Sequence, residues 1–305
     1  MNEIVIDPSR ERRILDFRLL GFCDFLVLGH YVYRETRQPL QLHDHGELLE
    51  VCYLADGEQF YRVAGNDYFL RGGDVLINYP HEPHGTGFLR EGKGNLYWLI
   101  LQPPKNKIHS NNLPPNNTKI LHDKLLNLNS RQFKLKNGSQ KNLDTIFTLF
   151  EKENCTIDGG KLVGQVDSFF VMNVRNYLFR FFLDLVESGQ LQHKSTPSPE
   201  IARAIKQIKN NDEPFYSMKQ LARIASLSES RFKHRFKEEI GTTPADFQIR
   251  HKVDRACVML RQDGKTILDT ALSLGFSSSQ YFATVFRRYT GITPAQFRST
   301  NPPIN

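Results

Sequence analysis

The segment ALSLGFSSSQYFATVFRRYTGITPAQFR (271–298) decides the fold of the C-terminal third of this 305-residue chain. Its part TGITPAQF (290–297) repeats, at a spacing of fifty residues, the earlier stretch IGTTPADF (240–247). Two pairs of phenylalanines keep the same spacing, Phe232 and Phe236 in the first copy and Phe282 and Phe286 in the second. The sequence therefore predicts one small helical unit that is used twice.

Each copy has the pattern of a helix-turn-helix unit. A capping Ser or Thr precedes a short helix, a small residue stands where two helices cross, and a second capped helix ends at glycine. These residues are Ser217, Ala222, Ser228 and Gly241 in the first copy, and Thr266, Ala271, Ser277 or Ser278, and Gly291 in the second. Between the copies, residues 245–262 are predicted to form one longer helix that fixes the spacing of the two units.

The charge of the chain is concentrated where this repeat lies. Residues 200–305 carry 17 Lys and Arg against 10 Asp and Glu, whereas residues 1–199 carry 23 of each. A basic module joined to a neutral one is typical of a polyanion-binding domain on a regulatory body. The length favours two domains, no run of eighteen apolar residues or secretory signal is present, and the four scattered cysteines favour a reduced, cytoplasmic protein.

The repeat resembles the DNA-binding domain of the AraC/XylS family of transcription regulators, whose signature the segment 271–298 follows. The resemblance implies seven helices and two recognition helices that enter successive major-groove segments. It implies base reading by Ser230, Lys233, His234, Ser279, Gln280 and Thr284, and phosphate contacts by Arg231, Lys237, Arg287 and Arg288. Lys233 suits guanine and Gln280 suits adenine. Because Thr284 is short, we expect the second unit to read fewer bases than the first.

Residues 1 to about 105 are predicted to form short β-strands, broken by turns at Asp56-Gly57, Gly65-Asn66 and Gly72-Gly73. The segment HDHGELLE (43–50), together with Pro83-His84, resembles the two-part motif of cupins, which are small β-barrels. The resemblance implies a barrel over about 20–102. If a metal is bound, it implies the ligands His43, His45, Glu50 and His84.

Between these regions, residues 103–118 are predicted to be an irregular loop and residues 143–150 a helix. Residues 162–187 are predicted to form a long helix with a wide apolar stripe, which either packs against its neighbour or joins two protomers in a homodimer. The predicted fold is thus a multidomain α+β chain. Its parts are an effector-binding and dimerisation domain (1–187, with helices at about 143–187), a linker (188–199), an all-α DNA-binding domain (200–298) and a tail (299–305).

Three interpretations of the N-terminal domain stay open: a metal-free effector pocket, which we favour, a divalent metal site, or a domain without ligand. The expected pocket residues are Arg37, His43, His45, Glu50, Tyr61, His84 and Trp98. Aromatic and polar groups together suit a sugar. We expect a regulator that binds operator DNA and RNA polymerase and activates a catabolic, carbohydrate-related operon without a cofactor. The alternatives are a repressor of the same architecture or a metal-dependent cupin enzyme.

Overall fold

The computed structural model describes residues 11–103, 115–153, 156–158, 161–163, 166–191, 197–210, 215–262 and 265–300. Within these ranges a β-rich N-terminal domain precedes a helical C-terminal domain, so the chain has a mixed α+β fold. In the part of the chain that is described, no helix is long and apolar enough to cross a membrane.

The N-terminal domain is built on a twisted antiparallel sheet. The strands of this domain up to residue 101 are β1 (Arg12–Asp16), β2 (Phe25–Tyr33), β3 (Arg37–Pro39), β4 (Leu49–Val63), β5 (Asn66–Arg71), β6 (Asp74–Asn78), β7 (His84–Gly85), β8 (Arg90–Glu91) and β9 (Gly94–Leu101). The hydrogen-bonded order is β1-β2-β9-β4-β6, with β5 and β7 also paired to β4. β3 and β8 form a separate two-stranded sheet.

Two of the three predicted turns are confirmed. The glycines at positions 65 and 73 have positive φ and join β4 to β5 and β5 to β6, respectively. The turn predicted at Asp56-Gly57 is wrong, because β4 continues through it with a register shift against β9 between Leu54 and Asp56. At this irregular position Gly57 has φ 98°, and a Cβ there would collide with the carbonyl oxygen of Lys93.

Helices cover one face of the sheet. The elements after β9 are α1 (Pro115–Leu126), β10 (Gln132–Lys134), α2 (Gln140–Lys152), β11 (Thr156–Asp158), β12 (Lys161–Val163) and α3 (Ser168–Leu191). β10 extends the main sheet by pairing with β6. The core between α3 and the sheet includes Phe170, Val174, Leu178, Phe181, Phe182 and Leu185, all of them buried. Packing thus accounts for most of the apolar stripe.

Three boundaries predicted for this region are wrong. The long helix starts at Ser168 rather than 162, because residues 161–163 pair with residues 156–158 in a hairpin. It ends at Leu191, so residues 188–191 of the predicted linker are helical. α1 begins at Pro115, inside the predicted loop, although much of that loop (104–114) and the linker residues 192–196 lie outside the described residues.

Seven helices form the described part of the C-terminal domain, the number that the resemblance implies. They are α4 (Pro199–Asn210), α5 (Met218–Ile224), α6 (Glu229–Ile240), α7 (Pro244–Leu260), α8 (Ile267–Ser273), α9 (Ser279–Thr290) and α10 (Pro294–Thr300). α4, α5 and α6 pack around one hydrophobic core with Phe232 and Phe236. α8, α9 and α10 pack around a second core with Phe282 and Phe286, and α7 joins the two.

The two domains are in direct contact. Phe60, Phe69 and Leu89 of the N-terminal domain belong to the same buried cluster as Phe282, Phe286 and Phe297. We call this cluster the shared core. Beside it, Arg62 of β4 lies 2.7 Å from the buried carboxylate of Asp254 on α7, and Lys209 of α4 lies 3.0 Å from Asp67 of β5. The sheet therefore packs against both the linking helix and the second helix-turn-helix unit.

Candidate functional site

The first candidate site is the pair of outward-facing helices α6 and α9. Each is preceded by a serine in extended conformation, Ser228 or Ser278, whose side chain accepts a hydrogen bond from the backbone N–H three residues on. Each ends at a glycine with φ near 90°, Gly241 or Gly291. These caps satisfy backbone groups at the helix ends, so the sequence itself fixes where both helices start and stop.

Different residues adopt the left-handed conformation in the turns before these helices. Gly275 adopts the left-handed conformation (φ 76°) in the second unit, and Ser226 adopts it (φ 58°) at the corresponding place in the first. Both side chains at the predicted crossing position, Ala222 and Ala271, are buried. Close crossing of the two helices in each unit follows from these small residues, as in other helix-turn-helix motifs.

The residues predicted to face DNA form two open surfaces. All of the ten predicted side chains are exposed except Ser279, which is half-buried: Ser230, Arg231, Lys233, His234 and Lys237 on α6, and Ser279, Gln280, Thr284, Arg287 and Arg288 on α9. The Thr284 hydroxyl donates to the carbonyl of Gln280 at 3.0 Å. Because that donor is already used inside its own helix, Thr284 has less to offer a base than a free hydroxyl.

The second candidate site is a cavity of about 620 Å³ in the N-terminal domain. We call it the sheet cavity. Its lining residues are Arg12, Tyr31, Leu40, Gln41, His43, Asp44, His45, Glu50, Cys52, Tyr61, Glu91, Leu96, Trp98 and Ile100. Five of the seven predicted pocket residues therefore line it. Of the other two, His84 is buried next to Glu50, and Arg37 is not among the lining residues but lies beside one of them, Glu91, and pairs with Glu11.

Three histidines meet at one end of the sheet cavity. A ring nitrogen from each of His43, His45 and His84 lies within 4.8 Å of the others. An isolated β-bridge between His43 and His84 holds these two segments of the chain side by side. The Glu50 carboxylate lies 3.0 Å from Nε2 of His84 and 3.8 Å from Nε2 of His45. The structure therefore brings together all four residues that the cupin resemblance names.

This end of the cavity is electrostatically coupled. Burial disfavours ionisation of Glu50, yet the contacts with His45 and His84 hold its pKa well below the usual value. Burial also opposes protonation of His84, but Glu50 outweighs it and raises the pKa of that imidazole. The pKa of His43 is lowered by burial.

The donor set fits a divalent metal ion. Nδ1 of His84 lies 2.8 Å from the Glu82 carbonyl, and Nδ1 of His43 lies 2.9 Å from the Gln41 carbonyl, so each ring can keep its other nitrogen for a ligand. Nε2 of His45 and Nε2 of His84 are buried, and among the described residues the Glu50 carboxylate is the polar group beside both. Imidazole and carboxylate donors together suit zinc and similar cations.

Another end of the sheet cavity is lined by Arg12, Tyr31 and Glu91. The Arg12 guanidinium donates to the Tyr31 hydroxyl at 3.0 Å and stacks on its ring. Burial raises the pKa of Glu91 to about 7, although Arg12, Tyr33 and Arg37 oppose this shift. Sequence reasoning missed this end, because its residues come from strands far apart in the chain.

Apolar and aromatic side chains complete the lining of the sheet cavity. Trp98 lies on β9, and its indole N–H is buried without a hydrogen bond in the described residues. Gly29 makes room for this ring, because any Cβ there would overlap it. Leu96 and Ile100, which sequence reasoning also missed, follow from Trp98 by the two-residue alternation of a strand. The cavity thus offers an apolar wall with polar groups at both ends, the usual composition of a small-molecule site.

Comparison with known proteins assigns a family to each domain. Residues 29–108 match the model of an AraC-like ligand binding domain, and residues 221–300 match that of a helix-turn-helix domain. An uncharacterized HTH-type transcriptional regulator of Haemophilus influenzae is 24% identical over 264 residues, which are 81% of this chain and 85% of the relative. The matched domains and relatives are those of transcription regulators and not of enzymes.

Two further relatives match over shorter stretches. The HTH-type transcriptional regulator ArgR of Pseudomonas aeruginosa is 25% identical over 163 residues, 53% of this chain and 47% of the relative. The xylose operon regulatory protein of Escherichia coli K12 is 26% identical over 120 residues, 39% of this chain and 31% of the relative. This chain thus spans less than half the length of both proteins.

Proposed function

Since the chain belongs to the AraC family of transcription regulators, we propose that it reads operator DNA with α6 and α9 under the control of a ligand in the sheet cavity. DNA binding by the helix-turn-helix domain and a small-molecule effector for the N-terminal domain follow from the matched families. Our proposal concerns which residues contact DNA and ligand, what the ligand is, and whether the protein activates or represses transcription.

One observation carries the DNA-reading part of the proposal. Two helices capped in the same way present exposed polar faces at a repeat spacing of fifty residues, while their phenylalanines are fully buried. Neutral Ser, Gln and Thr add little to phosphate binding, so their presence on α6 and α9 favours base reading over indifferent binding. A mobility shift with duplexes selected from a random library tests this, and equal affinity for selected and random duplexes would dismiss it.

For the sheet cavity we propose a polyhydroxylated ligand of the sugar class. Trp98 and Tyr61 offer ring faces or edges, and Arg12, Glu50 and Glu91 offer charged hydrogen-bonding groups at both ends. Stacking combined with hydrogen bonds suits sugars. A thermal-shift screen of the full chain against monosaccharides and small acids tests the class. Stabilisation by acids alone would reject sugars.

The histidine end of the cavity favours a second candidate, a metal-loaded effector site. A bound divalent cation would be held by His43, His45, His84 and Glu50 and would supply a Lewis-acidic point for ligand oxygens. Metal analysis of the purified chain, followed by titration of the metal-free protein with zinc, tests it. Binding that persists in the His84→Ala variant would count against this site.

For assembly and output we propose a cytoplasmic homodimer that recruits RNA polymerase and activates transcription, with repression as the alternative. The support for the dimer is the outer face of α3, where Phe169, Met172, Leu183 and Leu191 are exposed apolar side chains. Burying such a face against a second copy is a common route to a two-fold dimer. Sedimentation of the wild type and of a Met172→Glu, Leu183→Glu variant tests it. A wild-type monomer would refute it.

A further inference from the structure

The hydrophobic core of the second helix-turn-helix unit extends into the N-terminal domain. Its phenylalanines pack in the shared core with three side chains of the N-terminal domain, Phe60, Phe69 and Leu89. The first unit, by contrast, buries Phe232 and Phe236 in a separate cluster made of C-terminal residues alone. The hydrophobic core of the second unit therefore depends on the N-terminal domain. The first unit meets that domain through contacts outside its core, among them the hydrogen bond from Arg71 to the Gly241 carbonyl and the ion pair of Lys209 with Asp67.

Four consecutive residues connect this shared core to the sheet cavity. The ring of Phe88 packs edge-on against Phe297 of α10 at 5.4 Å between centroids, and Leu89 is buried in the shared core. The Arg90 side chain lies against Gly291 at the end of α9, and Glu91 lines the sheet cavity. We call residues 88–91 the link segment.

We propose that the link segment transmits ligand binding in the sheet cavity to the second helix-turn-helix unit, and that Glu91 is its ligand-facing residue. The proposal rests on the proposed function, since it requires that a ligand enters this cavity. The class of ligand that Glu91 would sense carries a hydrogen-bond donor, either a hydroxyl or an ammonium group.

Two lining residues of the sheet cavity are adjacent in sequence to residues that contact the C-terminal domain, and local structure favours Glu91 over Tyr61 as the mobile one. Tyr61 also lines the cavity, and its neighbours Phe60 and Arg62 touch the C-terminal domain. Tyr61 is, however, fixed in the long β4–β5 ladder opposite Tyr68. Glu91 belongs to a two-residue strand that, among the described residues, pairs with β3 alone and lies outside the main sheet. A short, weakly paired strand can shift at lower cost than a strand inside a long ladder.

The surroundings of Glu91 make its charge responsive to a ligand. Arg12, Arg37 and the hydroxyls of Tyr31 and Tyr33 face it. Its raised pKa, about 7, places the carboxyl close to its midpoint of ionisation near neutral pH. A donor that approaches the carboxyl would favour the ionised form and draw it toward the cavity, which would move Arg90 relative to Gly291.

Amide hydrogen exchange of the full chain at pH 8, without ligand or DNA, tests the link. Glu91→Gln removes the charge at nearly constant shape, and Tyr61→Phe is the matched control in the rigid ladder. We expect Glu91→Gln to change exchange in peptides covering 282–297 by about threefold or more. Peptides covering 229–240 should keep the wild-type rates, and Tyr61→Phe should leave both regions unchanged. Arg90→Ala, which removes the contact with Gly291, should affect the same 282–297 peptides.

Three results would overturn the link. The first is that Glu91→Gln or Arg90→Ala leaves the exchange rates of the 282–297 peptides unchanged. The second is that Glu91→Gln changes the exchange rates of both units equally, and the third is that Tyr61→Phe changes the 282–297 peptides as much as Glu91→Gln does. A mobility shift with library-selected duplexes on the same wild-type preparation reports separately on the proposed function. Loss of selective DNA binding there would reject the DNA-reading proposal, whereas the exchange pattern decides the link alone.

Discussion

At the scale of single residues, the account separates side chains that read bases from those that hold phosphates. Lys233→Ala should cost roughly 1–3 kcal/mol on a selected duplex and relax preference at one base position, because a contact to guanine is lost. Arg287→Ala should weaken all duplexes about equally and reduce the salt slope by about one. Affinities on selected and random DNA over a range of salt check this. Identical behaviour of the two variants would contradict the division.

Glu91 gives a second prediction at this scale, on the pH dependence of stability. Because the pKa of Glu91 is raised to about 7 in the folded state, the folded chain holds this proton more tightly than the unfolded chain. Stability contributed by this group is therefore lost as pH rises from about 4.5 to about 7. Glu91→Gln lacks the loss and should be more stable than wild type at pH 8 by about 2–3 kcal/mol, with little difference at pH 4.5. The free energy of unfolding of both proteins can be measured with denaturant across this pH range. A difference between the two proteins that does not change with pH would contradict the prediction.

The same scale shows what sequence patterns can and cannot give. His43, His45, Glu50 and His84 were predictable, because close spacing in the sequence and a recognisable motif mark them, although His43 and His45 lie before β4 and not on it. Arg12 and Glu91 were not, since only the pairing of distant strands brings them to one end of the cavity. Arg37 was assigned to the pocket by residue type, but in the structure it lies beside the lining residue Glu91 and is not itself part of the lining.

At the scale of elements, capping and turn residues determined most of the helical domain. Ser217, Ser228, Thr266 and Ser278 all cap the helices that they were predicted to start. The start of α3 was less predictable. Its apolar pattern extends upstream into residues 161–163, where pairing with residues 156–158 overrides helix formation. Local periodicity cannot distinguish these two outcomes when a short partner strand lies nearby.

The irregular position in β4 gives the prediction that belongs to this scale. Gly57→Ala should destabilise the chain by about 3 kcal/mol or more, because positive φ and a clash with the Lys93 carbonyl act together. Gly65→Ala is the matched control, since Gly65 also has positive φ but has open space around it. It should cost only about 1–2 kcal/mol. Equal losses in urea unfolding would show that β4 does not pass close to Lys93.

At the scale of the whole molecule, the sequence predicted two domains, and the structure adds the contact between them. Nothing in the sequence singled out Phe60, Phe69 and Leu89 as partners of the C-terminal helices, because alternation in a strand shows only that one face is buried. The shared core could therefore be identified only from the structure.

The charged part of this contact can be tested directly. Arg62→Met leaves the buried carboxylate of Asp254 without its partner and should cost about 3 kcal/mol. Arg13→Met removes an exposed pair with Glu151 and should cost less than about 1 kcal/mol. Urea unfolding of both variants measures the difference. Equal, small losses would mean that the two domains are not held together by this ion pair.

Footprinting of the full chain on a library-selected duplex tests the central claim most directly, because α6 and α9 must lie in the groove at the same time. Hydroxyl-radical cleavage should show two protected segments for each protomer, about one helical turn (10–10.5 base pairs) apart on one face of the duplex. Substituting Lys233 should weaken protection of the sugar backbone in one segment, and substituting Gln280 should weaken it in the other. A single protected segment, or protection that ignores both substitutions, would contradict the account.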